Sequence, residues 1–151
     1  MNRSLSYIEK AFIYGCLGLC IEVWFTAIAA LARGSESVAL QGQTYLWMMP
    51  VWAVGMFALG YARSKASHYR IVTRGVIYAA VCFATEYSFG MLYLLTLREI
   101  PWDYTGAAWS IHGAIRLDYF VWWFLAGLAS EKVIAYVNRL RLQSSYPPTS
   151  Y

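Results

Sequence analysis

Charge is what this chain has least of. Charged side chains make up 13% of its 151 residues, about half the share of an ordinary soluble domain. Histidine and cysteine are few as well, at two and three. His68 and His112 lie outside the main apolar runs and on opposite sides of them, so no axial pair for a haem is in view. No Cys/His cluster has the spacing of a zinc site, and no GxxxxGK[ST] element is present for nucleotide hydrolysis. No Ser-His-Asp arrangement suggests itself. Cys16, Cys20 and Cys82 sit inside apolar runs, where they read as small filler rather than a disulfide framework. What remains is apolar: 60% hydrophobic residues, seven Trp and a mean hydropathy of +0.44. This excludes a soluble enzyme, a disordered chain and a nucleic-acid binder. The formal charge of +4 reads as loop charge at a membrane surface.

The fold class that follows is an all-α, polytopic membrane helical bundle. Four apolar stretches, at about 11–32, 44–62, 75–97 and 119–138, are each long enough to cross a ~30 Å core at ~1.5 Å per residue. They are continuous, not alternating, so helices and not barrel strands are expected. The first stretch is too long, and contains Glu22, so it reads as a retained span rather than a cleaved leader. Residues 1–143 form one transmembrane domain and 144–151 a mobile C-terminal tail. Arg3, Lys10, Arg63, Lys65, Arg70, Arg74, Lys132, Arg139 and Arg141 fall on one side, and Arg33, Arg98 and Arg116 on the other. That bias places both termini in the cytoplasm. The long connection 100–117 carries Trp102, Asp103, Tyr104, Trp109 and His112. It is expected to be interfacial or re-entrant on the outer side, or an early start to the fourth helix.

Ionisable residues inside a span are expensive and default to a functional site. Two stand out. Glu22 lies midway between Lys10 and Arg33, and Glu86 midway between Arg74 and Arg98. Both carboxyls therefore fall near the bilayer midplane on helices running the same way. Gly15, Gly18, Glu22, Thr26 and Ala29 share one face, and Gly75, Ala79, Cys82, Glu86 and Gly90 another, so each Glu looks in from a small-residue seam. Gly113, Arg116, Phe120, Trp123 and Gly127 make a comparable face before and along the last helix. Ile13-Tyr14 precedes Glu22 as Ile77-Tyr78 precedes Glu86, and Phe25 and Phe89 each follow by three. The pattern suggests two parallel two-helix repeats with a shared site at their interface. Two close carboxylates would share a proton, bind a cation or meet a basic ligand. Alternatively each is a bundle-holding group bonded to Thr26, Thr85, Ser88 or a Tyr hydroxyl. Trp102, Asp103, Arg116, Asp118 and Tyr119 form a second cluster at the outer boundary, with Asp103 capping a helix or pairing with Arg116.

Tyr14-Gly15, Cys20-Ile21-Glu22-Val23, Thr85-Glu86-Tyr87, Pro101-Trp102-Asp103-Tyr104, Leu117-Asp118-Tyr119 and Trp123-Phe124 together resemble the CmpB-type ABC-transporter type IV membrane family. The stretch Gly34-Ser35-Glu36 through Gln43 departs from the bacterial pattern and is closer to the animal transmembrane protein 229 branch. The resemblance implies a small helical membrane protein without an established activity. The expected function is a binding or transport component with a dicarboxylate site at Glu22 and Glu86 for a proton, cation or amphipathic ligand. A lipid-modifying membrane enzyme, with no catalytic residues assigned, and an accessory subunit of a larger complex are the alternatives. No cofactor and no metal is expected. Membrane lipids and a second copy or a larger complex are the expected partners, and nucleic acid is not.

Overall fold

The computed structural model describes residues 2–34 and 39–143. The expected C-terminal tail, and the Ser35-Glu36 part of the first connection, lie outside the described residues. Four helices carry the fold: α1 (Tyr7–Ala32), α2 (Met48–Ala66), α3 (Ile71–Leu97) and α4 (Phe120–Arg139). Four short strands accompany them: β1 (Asn2–Ser4), β2 (Ser110–Ile111), β3 (Ile115–Arg116) and β4 (Arg141–Gln143). A 3-10 turn, Leu117–Tyr119, leads into α4.

Local chemistry explains the helix starts. Ser6 caps α1, and Glu9 returns the favour to the Ser6 amide in a capping box, so two otherwise orphan donors are met. Arg3 then pairs with Glu9 at 2.6 Å. α3 ends where Arg98 turns left-handed at φ 66°. α1, α3 and α4 with its leading turn are each long and apolar enough to cross a membrane. α2 is less apolar, with Arg63 and Lys65 in its last turn.

Phe12, Trp24, Ile28, Val72, Leu95 and Val121 are exposed on the helix surfaces. Helices that turn apolar residues outward are solvated by lipid. The inward faces mix glycines and alanines with large apolar side chains such as Tyr14, Met56, Leu59, Tyr78 and Ile134. α1 packs on α2, α2 on α3, and α3 on α4. Gly18 lies directly against Trp52, Gly75 against Phe124, and Gly127 against Tyr78. These glycines allow the close approach that membrane helices rely on for dispersion contact.

The two ends of the molecule differ. β1 pairs antiparallel with β4, Arg3 opposite Leu142, so the two chain ends share one end of the bundle. At the other, the loop end, the chain folds back onto the helices. The α1–α2 connection runs down α1 until Gly42 meets the Val23 carbonyl, and the Gln43 amide donates to the Thr26 hydroxyl at 2.9 Å. The α3–α4 connection forms a β2–β3 hairpin, Ser110 opposite Arg116. His112 and Gly113 both have positive φ, 53° and 68°, the backbone hand of a primed hairpin turn. The segment 100–117 is thus a packed cap, and α4 starts at Phe120 rather than earlier.

Candidate functional site

Glu22 and Glu86 each lie fifteen residues past the first residue of their helices. α1 and α3 run the same way through the antiparallel succession, so the carboxylates share a level. That level is ten or eleven residues from the helix ends, roughly 15 Å at 1.5 Å per residue. The folded-back connections cover it from the loop end.

Glu86 is 3% exposed. Its Oε1 accepts from the Tyr104 hydroxyl at 3.1 Å. Its Oε2 has no hydrogen-bond partner among the described residues. A cavity of about 40 Å³ adjoins it, lined by Met48, Val51, Trp52, Thr85 and Trp123. Glu22 is half-buried and accepts a short hydrogen bond from the Thr44 hydroxyl. The Trp52 indole lies beside Glu22 and the Trp123 indole beside Glu86. Neither indole N–H reaches hydrogen-bond geometry. The two indole rings meet edge-on with their centres 6.0 Å apart.

An aromatic path leads from Glu86 to the loop end. Tyr104 meets Tyr119 edge-on at 5.7 Å. The Arg116 guanidinium lies 4.5 Å from the Tyr119 ring centre. Arg116 also donates twice to Asp118, at 3.1 and 2.6 Å. That hydrogen bonding holds the Arg116 cation even more firmly charged. Burial, then the Glu86 charge, push the Tyr104 hydroxyl well above its usual range, so Tyr104 stays a donor at any physiological pH.

The remaining expected residues are placed differently from one another. Trp102 is buried and fastens the cap, its Nε1 donating to the Ala114 carbonyl at 2.9 Å. Asp103 is exposed and accepts from the Thr105 amide at 2.8 Å and its hydroxyl at 2.5 Å. Those bonds hold its carboxyl below the ordinary range. The expected Asp103–Arg116 latch does not form, because each finds a partner two residues away. His112 shares a 2.9 Å hydrogen bond with the Tyr87 hydroxyl.

The bundle-holding alternative named Thr26, Thr85, Ser88 or a Tyr hydroxyl as partners for the glutamates. The Thr26, Thr85 and Ser88 hydroxyls reach backbone oxygens of their own helices, whereas a Tyr hydroxyl, that of Tyr104, does meet Glu86. The side-chain partners are Thr44 and Tyr104, both from connections. A further, partly buried pair had no sequence signal beyond one charge on each helix. Arg74 meets Glu131 at 3.0 Å, and Tyr78 donates to Glu131 at 2.7 Å.

A family model described as "Putative ABC-transporter type IV" matches residues 11–148. The chain belongs to this family. Together with three helices among the described residues that are long and apolar enough to cross a membrane, membership makes this an integral membrane protein of transporter-type kinship. No curated protein and no solved structure matches the chain. Both span glutamates, Tyr104 and the Arg116–Asp118 pair all fall inside the family region.

Proposed function

We propose that this family member is a transport-type membrane component whose Glu22–Glu86 site takes up and releases a proton. The observation that carries the reading is buried Glu86, which has a carboxylate oxygen without a hydrogen-bond partner among the described residues and lines a cavity of about 40 Å³. A void of that size holds a water molecule or two and excludes an organic cation. A proton is therefore the ligand that fits with the helices as they stand. An amphipathic ligand would be felt indirectly, through Trp52 and Trp123, which also line the neighbouring crevice. Tyr104, Tyr119 and Arg116 then form the route from the loop end.

Several finer points belong to the same reading. α2 completes a fourth span, its Arg63 and Lys65 meeting headgroups. The basic bias of the terminal end places both termini in the cytoplasm. α1–α2 and α3–α4 act as two parallel units, and the first connection relates the chain to the animal transmembrane protein 229 branch. The protein works as a homo-oligomer or a complex subunit among membrane lipids. An accessory-subunit reading is favoured by one specific feature: an ABC-type role needs nucleotide hydrolysis, and these 151 residues hold no P-loop.

The test is proton flux into vesicles containing a trapped pH indicator. Wild-type protein should dissipate an imposed pH gradient faster than Glu86→Gln, with Glu22→Gln intermediate. Equal rates for wild type and the double variant, both correctly inserted, would sink the proposal.

A further inference from the structure

A second compartment lies at the terminal end, away from the glutamates. Between α1, α2 and α4 is an open chamber of about 690 Å³ whose polar lining residues include Lys10, Arg63, Ser64, Ser67 and Asn138, set among apolar ones such as Met56, Phe57 and Ile134. Its two charged lining residues, Lys10 and Arg63, are both basic. Neither makes a salt bridge among the described residues. Lys10 donates to Asn138 at 2.7 Å, which leaves two of its three ammonium protons for a ligand.

Tyr14 and Met56 line both this chamber and a deeper apolar crevice of about 260 Å³. Leu17, Gly18, Ile21, Ala126, Ala129 and Val133 line the crevice from α1 and α4. The cleft exists because α1 packs chiefly on α2 while α4 packs chiefly on α3. α1 and α4 are tied at the terminal end by Lys10–Asn138. At the loop end Phe25 meets Tyr119 and Trp122 edge-on, at 5.8 and 5.6 Å. Between those ties Leu17, Ile21 and Ala129 are exposed, so the crevice opens sideways toward the surrounding medium. From Lys10 to Ile21 is roughly 16 Å along the helix, about half of a ~30 Å hydrocarbon core, hence one leaflet deep.

The geometry points to a site for one anionic phospholipid. Its phosphate lies in the chamber against Lys10 and Arg63, and one acyl chain enters the crevice between α1 and α4. Charge complementarity selects the headgroup. The sideways opening and apolar lining select a chain-bearing ligand over a soluble anion. The inference does not depend on the glutamate site, and its readout is independent of proton flux.

Native mass spectrometry of the full chain in mild detergent tests it, with phosphatidylglycerol and phosphatidylcholine as competing probes. One phosphatidylglycerol should bind per chain, with at least tenfold preference over phosphatidylcholine. Lys10→Gln with Arg63→Gln should abolish that preference. Lys65→Gln with Arg70→Gln, an equal charge loss at the same end but outside the chamber, should change it less than twofold. Ala129→Phe, which keeps the charges and obstructs the crevice, should weaken binding of the intact lipid. Equal loss in both charge-depleted pairs would overturn the site in favour of general surface charge. Displacement of the lipid by millimolar glycerol phosphate would overturn the lipid in favour of a soluble anion. If the Gln pair does not fold, Lys10→Arg with Arg63→Lys must retain the preference, and its loss counts against the proposal.

Discussion

Removing the Tyr104 hydroxyl is the sharpest probe of how Glu86 is held. Tyr104→Phe keeps the ring, and with it the edge-on contact with Tyr119 at 5.7 Å. It deletes one donor, 3.1 Å from Glu86 Oε1. Glu86 Oε2 has no partner among the described residues, so the change leaves a carboxyl that is 3% exposed with no described donor in hydrogen-bond geometry. Stranding a buried polar group costs about 1–3 kcal/mol in soluble proteins. Hydrogen bonds between membrane helices average about 0.6 kcal/mol and reach about 1.7. The Glu86 case belongs at the upper end of the membrane range, because the Trp123 indole beside it is out of hydrogen-bond geometry. Tyr104→Phe should therefore cost about 1–2 kcal/mol, about tenfold in the folding equilibrium. The assay is reversible unfolding in mixed micelles, run as a double-mutant cycle with Glu86→Met. In the Glu86→Met background the hydroxyl has no carboxylate to serve, so its removal should be close to neutral. An equal cost in both backgrounds would refute the assigned contact.

Three further outcomes follow from the same geometry. Gly127→Ala places a methyl against the Tyr78 side chain and should destabilise the α3–α4 seam by about 1–3 kcal/mol, read as a lowered thermal midpoint. Glu131→Gln leaves Arg74 without its 3.0 Å partner. At about one-fifth exposure for each side chain, it should cost about 1–3 kcal/mol, less than a fully buried pair. Adding Arg74→Met to it should restore part of the loss. Asp103 has a lowered carboxyl value through its bonds to Thr105, so its support is present above the unfolded carboxylate range and lost as pH falls through the folded value. Protection of the Thr105 amide against exchange, taken relative to the intrinsic rate at each pH, should fall in acid, and Asp103→Ala should remove it at every pH.

How much of this was legible depended on sequence distance. Helical class, α1, α3 and the start of α4 follow from long apolar runs, and Glu22 and Glu86 stand out because charge there is so rare. The shared faces of Gly15 with Gly18, and of Gly75, Ala79 and Glu86, follow from helical spacing, and these residues other than Glu22 are buried in the bundle. A Tyr hydroxyl was among the expected partners of the glutamates, but that it is Tyr104, and that Thr44 meets Glu22, was not legible. Their role arises from connections that fold back along the helices, which no periodicity encodes. The Asp103–Arg116 latch failed for a local reason: Thr105 and Asp118 lie two residues away and cost less chain entropy to reach. α2 extends to Ala66, past the expected boundary at 62, because Arg63 and Lys65 continue the helix beyond the apolar run. The β1–β4 pairing joins the two ends of the chain, and such non-local pairing carries no signature in either segment alone.

The central claim is that Glu86 belongs to a proton-exchanging site. The direct measurement is infrared difference spectroscopy of the carboxyl stretch in reconstituted membranes, followed across pH. The account predicts a titrating carboxyl band that is absent in Glu86→Gln and displaced in frequency in Tyr104→Phe. A spectrum left unchanged by both substitutions would contradict it.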